Sequence, residues 1–179
     1  RSSVREALRV LEVLGLVSPR AGSDPKSAGI IVASPSGGMG ALMRLQVAAQ
    51  GFRVTDIVRT RLLLEGAVAK DLAERSDSVD LAPLTDLLDA MEDPRLTQTE
   101  FLALNARFHL ALADTSGNQV VTAVMAGLRR SLEADVFEGA ENLDDWSATA
   151  DRLRAEHREL IMSIVAGDGS RAARQIQSH

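Results

Sequence analysis

Three histidines stand at positions 109, 157 and 179, and the chain has no others. A neutral imidazole carries one free nitrogen lone pair, which makes histidine the commonest protein ligand for transition metals. A single histidine on a helix is more often structural, but here each falls in a separate segment of helical periodicity. Asn105 and His109 are four residues apart and share a helix face. His157 shares its face with Leu160, Ile161 and Ile164. His179 lies beyond a Gly167-Asp168-Gly169 turn, so an antiparallel helix pair would bring it back beside His157. Imidazoles converging in a bundle core make a site for a divalent transition metal such as Zn or Ni.

A second residue with chemistry in it is Arg61. Ile57, Leu64, Val68 and Leu72 form one apolar stripe, and Arg61 falls on the same stripe. A guanidinium on an apolar face needs a partner. Glu65, four residues on, could pair with it. Alternatively Arg61 faces a cavity and grips the carboxylate of a small acid with its two-pronged fork.

These side chains need helices to hold them. Periodicity and breakers place helices at 39–50, 54–76, 78–92, 97–114, 118–138, 144–167 and 169–179. Gly51, Pro94, Ser116-Gly117, Gly139 and Gly167-Asp168-Gly169 separate them. Connections this short make consecutive helices antiparallel neighbours, giving an all-α antiparallel bundle of six to seven helices over 37–179. Hydrophobic residues are 45% of the chain but aromatics only 3%, so the core is aliphatic and suits helix-on-helix packing. The absence of cysteine excludes disulfides and thiolate metal sites. No apolar run approaches the roughly 18 residues of a membrane span, so no membrane partner is expected and a cytoplasmic location is.

The first 36 residues differ from the rest. They carry five basic and three acidic residues, +2, against 15 basic and 22 acidic in the remainder, −7. Val4, Ala7, Leu8, Leu11 and Leu14 follow helical spacing, while Arg1, Arg5 and Arg9 recur on another face. Ser3 and Glu6 have the spacing of a capping box. Gly15 stands where a helix C-cap is wanted. Leu16-Val17-Ser18 and Ile30-Ile31-Val32 then flank a turn-rich loop and read as a hairpin. A short helix followed by a hairpin is the second half of a winged helix. Because the chain opens directly into that helix, the domain 1–36 is expected to be N-terminally incomplete, and Ser34 to Gly38 to be the linker to the bundle.

The string Ser3-Val4-Arg5-Glu6-Ala7-Leu8-Arg9-Val10-Leu11-Glu12, with Gly15-Leu16-Val17, resembles the recognition helix and wing start of GntR-family transcription regulators of the FadR-like branch. The resemblance implies operator DNA contacts from Arg1, Ser2, Ser3 and Arg5, and from the wing tip at Gly22. Physical chemistry agrees: a helix N-terminus offers amides to phosphate, and arginine can read guanine in the major groove. Arg61-Leu62-Leu63-Leu64-Glu65, followed by Ala69 and Leu72-Ala73, looks like the opening of the sensing domain of that branch.

Asn105 with His109, then Ser116-Gly117-Asn118, Glu156-His157 and His179, match its metal-binding pattern in order and spacing. That resemblance makes Asn105, His109, His157 and His179 the metal ligands, with Asn105 where the family has aspartate. An amide oxygen is a neutral and weaker donor than a carboxylate, so reduced metal affinity is expected. Arg61 and Asn118 are the expected effector contacts, although Asn118 also suits an N-cap.

The implied function is a homodimeric regulator, a repressor of an operon for small-carboxylate catabolism. In it, a metal and a small organic acid in the helical domain alter affinity for double-stranded operator DNA. The alternative is a metal-dependent hydrolase using the three histidines, for which no clear general base is present.

Overall fold

The computed structural model describes residues 2–13, 17–18, 30–31, 45–47, 49–132, 136, 139–140, 143 and 145–179. Helix α1 spans Ser2–Val13. Strands β1 (Val17–Ser18) and β2 (Ile30–Ile31) follow as an antiparallel pair, with Val17 opposite Ile31 and Ser18 opposite Ile30. The order helix, then hairpin, is the one expected for this segment. Ser3 is the second residue of α1 and therefore an interior position rather than its cap. Val4, Leu8 and Val10 of this helix are exposed. Gly15, Gly22, Arg1 and the boundary at 36/37 lie outside the described residues.

The bundle is built from α2 (Val54–Glu74), α3 (Ala82–Met91), α4 (Gln98–Thr115), α5 (Gln119–Ser131), α6 (Trp146–Val165) and α7 (Gly169–Ser178). Residues 45–47 and 49–50 are also helical. One expected helix starts late. Residues 76–78 form a single 3-10 turn, and α3 begins only at Ala82. Pro83 sits in its first turn, where the missing N–H costs nothing, but the proline ring disfavours helical backbone before it. Among the described residues, no helix is long and apolar enough to cross a membrane.

Side chains fix the helix starts. Thr97 and Glu100 form a full capping box at α4: the Glu100 amide donates to Thr97 Oγ1, and the Thr97 amide donates to Glu100 Oε2 at 2.8 Å. Asp145 caps α6, accepting from the Ala148 amide at 2.9 Å, and Asp168 caps α7, accepting from the Arg171 amide at 2.9 Å. These caps set where His109, His157 and His179 fall on their helices.

The main core gathers Leu72, Leu84, Met91, Phe101, Phe108, Leu112, Leu160, Ile164 and Ile176 from α2, α3, α4, α6 and α7. Each such side chain contributes about 1.5–3 kcal/mol on burial. A smaller cluster, Val47, Ile57, Leu128 and Leu132, joins α5 to the start of α2. The closest packing is α7 along α2. Two glycines make it possible. Gly167, with φ of 73°, turns the chain from α6 into α7. At Gly169 a Cβ atom would lie 2.9 Å from Lys70 Cγ and 3.0 Å from the Lys70 carbonyl oxygen, so α7 starts almost against the α2 backbone.

Candidate metal and ligand site

The bundle brings the three histidines together. His109 comes from α4, His157 from α6, and His179 closes α7. Each offers one ligand nitrogen, and the three atoms lie within 4.8 Å of one another. Ring centroids are 5.4 Å apart for His109 and His157, 5.1 Å for His109 and His179, and 4.7 Å for His157 and His179. His109 and His157 are each 1% exposed. The face of Phe108 covers His157, with centroids 4.4 Å apart.

Burial keeps the rings of His109 and His157 neutral. Desolvation pulls His109 down to about 4, although Glu65 opposes the shift. Desolvation, reinforced by the neighbouring imidazoles, pulls His157 down to about 2. A neutral ring is the form that can bind a metal. Neither nitrogen of His157 has a hydrogen-bond partner, and the buried Oδ1 of Asn105, one turn ahead of His109, also has none. Buried polar atoms left without partners are costly. Three converging imidazoles, two of them held neutral by burial, with orphaned donor atoms among them fit a divalent transition metal.

Carboxylates stand beside two of the rings. Oε2 of Glu156 lies 2.6 Å from Nδ1 of His179. An ionised carboxylate only accepts, so Nδ1 carries the proton and donates, leaving the Nε2 lone pair free. Oε2 of Glu65 lies 3.1 Å from Nδ1 of His109, in ion-pair range but off the hydrogen-bond line. Oε1 of Glu65 accepts from both Nε and Nη2 of Arg61 at 3.1 Å. Burial alone would raise the Glu65 carboxyl, but His109 and Arg61 outweigh it and bring it down to about 2. Glu65 is therefore an ionised carboxylate between a cation and an imidazole.

Arg61 has the partner expected of it, Glu65, and also borders a cavity with Arg129 and the aliphatic side chains around them. Asn118 is elsewhere. Its Oδ1 caps α5, accepting from the amides of Val120 and Val121 at 3.1 and 3.2 Å. It borders an open groove with Leu64, Asp71 and Arg75, not the cavity of Arg61. Of the expected DNA contacts, Ser3 and Arg5 are exposed on α1 and Ser2 opens that helix; Arg1 and Gly22 lie outside the described residues.

Sequence reasoning missed Glu65 as a neighbour of His109, Glu156 as the partner of His179, and Arg129. A signal for Arg129 was present. Met125, Arg129 and Leu132 recur at helical spacing, so the arginine interrupts an apolar stripe as Arg61 does.

The helical bundle thus gathers three histidines, and two of its arginines line a cavity. Residues 56–179 match the FCD domain, and the chain belongs to that family. It is 28% identical over 193 residues to the HTH-type transcriptional regulator LutR of Bacillus subtilis, spanning 100% of this chain and 80% of that protein. It is 26% identical over 185 residues to the HTH-type transcriptional repressor NanR of Cronobacter sakazakii, spanning 100% of this chain and 68% of that protein. It is 27% identical over 126 residues to the putative L-lactate dehydrogenase operon regulatory protein of Escherichia coli, covering 69% and 47% of the two chains.

Among solved structures, Streptococcus agalactiae GntR superposes with a TM-score of 0.67 at 25% identity, over 99% of this chain and 78% of that one. The chain is thus a GntR-type regulator of the FadR-like branch and not an enzyme, and the hydrolase alternative falls.

Proposed function

We propose that this chain senses a small organic acid through a metal centre and adjusts its hold on operator DNA accordingly. The observation that carries the reading is the convergence of three histidine nitrogens within 4.8 Å of one another, next to an arginine that lines a cavity. His109, His157 and His179 would hold the metal, with Asn105 as the weaker fourth donor. When bound, the metal supplies a Lewis-acidic position at which a carboxylate can complete the coordination.

The protein's own residues do the rest. Arg61 offers its guanidinium to the acid from the cavity wall. Glu156 holds His179 in one tautomer, and Glu65 faces Nδ1 of His109. Phe108 and the surrounding core keep water from His157. Residues 1–36 would belong to the winged helix that reads DNA through the start of α1, with 37–179 as the sensing and dimerisation domain. A homodimer on a near-palindromic operator in the cytoplasm follows from that mode of binding. The acid changes DNA affinity only if it binds two arrangements of the dimer unequally.

The test is a DNA-binding titration with the full-length protein on the DNA upstream of its own gene at low salt. The expected result is binding that shifts with small organic acids in zinc-loaded protein and not in His157→Ala. Protein that ignores that DNA, or an acid response that survives removal of the metal, overturns the reading.

A further inference from the structure

The smaller apolar cluster ties the chain ahead of the bundle to the histidine centre. Among the described residues from 45 to 53, Val47 alone is buried. It shares one packed cluster with Ile57 of α2 and with Leu128 and Leu132 at the end of α5, edged by Val58, Leu64 and Val124. None of these residues belongs to the main core. The helical turn that carries Val47 does not run on into α2. The Gly51 amide closes it on the Val47 carbonyl at 3.2 Å, and Gly51 takes φ of 60°, a left-handed position that ends a helix. Among the described residues, one valine side chain therefore seats this segment on the bundle.

Both walls of that seat lead to the histidines. Ile57, Arg61 and Glu65 follow at intervals of four on one face of α2. Arg61 holds Glu65, and Oε2 of Glu65 lies 3.1 Å from Nδ1 of His109. From Ile57 to Glu65 is about 12 Å of continuous helix. The other wall, α5, packs on α4, which carries His109. A change at the centre that shifts α2 against α5 therefore alters the packing of the small cluster, Val47 included. Close-packed side chains register such shifts, because even a narrow gap forfeits much of their contact energy. A small cluster apart from the main core can loosen without opening the whole bundle.

We propose that Val47 is the positioning residue through which the metal- and acid-bound state of the bundle sets the placement of the segment that reads DNA. This rests on the reading that a metal and an acid at the histidines change operator affinity, and it names the joint that carries the change. For the joint to act, Val47 must be seated differently in the bound and the free state.

The test titrates the full-length protein on the DNA upstream of its own gene in three states: free of zinc, zinc-loaded, and zinc-loaded with L-lactate, succinate or gluconate. The response is the ratio of DNA affinities between states, and wild-type protein should show about 5–150-fold. Val47→Ala should cut that ratio by about 2–30-fold, while zinc affinity, read by competition with a chelating dye, stays near the wild-type value. Leu128→Ala opens the same seat from α5 and serves if Val47→Ala does not fold. Val68→Ala, the same truncation in the main core, is the control: it should lower stability and leave the ratio unchanged. A full response in Val47→Ala overturns the proposal, as does an equal loss in Val68→Ala. Loss of zinc affinity in Val47→Ala overturns it too, because Val47 would then serve the site itself. Wild-type protein whose DNA affinity ignores zinc and all three acids overturns the reading of function, and the proposal with it.

Discussion

Oε2 of Glu65 stands 3.1 Å from Nδ1 of His109, with both side chains almost sealed from solvent. The other oxygen of the same carboxylate accepts from Arg61. One buried anion thus touches a ring in the metal cluster and the arginine of the cavity wall. Its negative charge strengthens the imidazole as a donor, and its pairing with Arg61 keeps it from being an uncompensated buried charge.

Removing that charge while keeping its shape should weaken the metal site. Glu65→Gln leaves an acceptor for Arg61 but faces His109 with a neutral group. Zinc affinity, measured by competition with a chelating dye, should fall by about 10–100-fold. Unchanged affinity would mean that the carboxylate only stabilises Arg61.

His157 gives a prediction with two opposite signs. Its nitrogens are buried and unpartnered, so the metal-free protein carries an unsatisfied polar ring. His157→Leu should therefore raise the stability of the metal-free chain by about 1–3 kcal/mol. The same change removes a ligand, so the rise in melting temperature on adding zinc should disappear. Thermal denaturation with and without zinc reads both effects. A variant that loses stability without metal would show that His157 has a structural role instead.

Asn105 can be tested in the gaining direction. Its Oδ1 is buried, without a partner, one turn from His109. Asn105→Asp replaces a neutral oxygen with a charged one at that place. Zinc affinity should rise on the order of tenfold, measured by the same competition. If it does not, residue 105 stands outside the coordination sphere.

The histidines were legible because their number is small and their spacing falls on separate helices. The order of elements followed from periodicity and from breakers such as Gly117 and Gly167, both at positive φ in the structure. What the sequence hid were contacts made across the bundle. Glu65 sits four residues from Arg61, and that local pairing was visible. Its approach to His109 joins α2 to α4, which no spacing rule reaches. Glu156 and His179 meet only because α7 folds back along α6 and α2. The late start of α3 is a boundary effect of Pro83, and apolar periodicity is blind to it.

The seat of α7 against α2 links packing to the site most directly. α7 carries His179 at its end, and Gly169 at its beginning leaves no room for a side chain, with the Lys70 carbonyl oxygen 3.0 Å from any added Cβ. Backbone cannot step aside as a flexible side chain can. Gly169→Ala should therefore push the start of α7 outward, at a cost of about 1–3 kcal/mol. Because Glu156 and His157 are on α6, the displacement separates His179 from both, so zinc affinity should fall together with stability. Gly117→Ala is the matched control. It strains a turn at φ of 75° but meets no atom within 4 Å. It should cost about 1 kcal/mol and leave zinc binding as in the wild type. If both variants lose stability and neither loses zinc affinity, the packing of α7 on α2 does not set the position of His179.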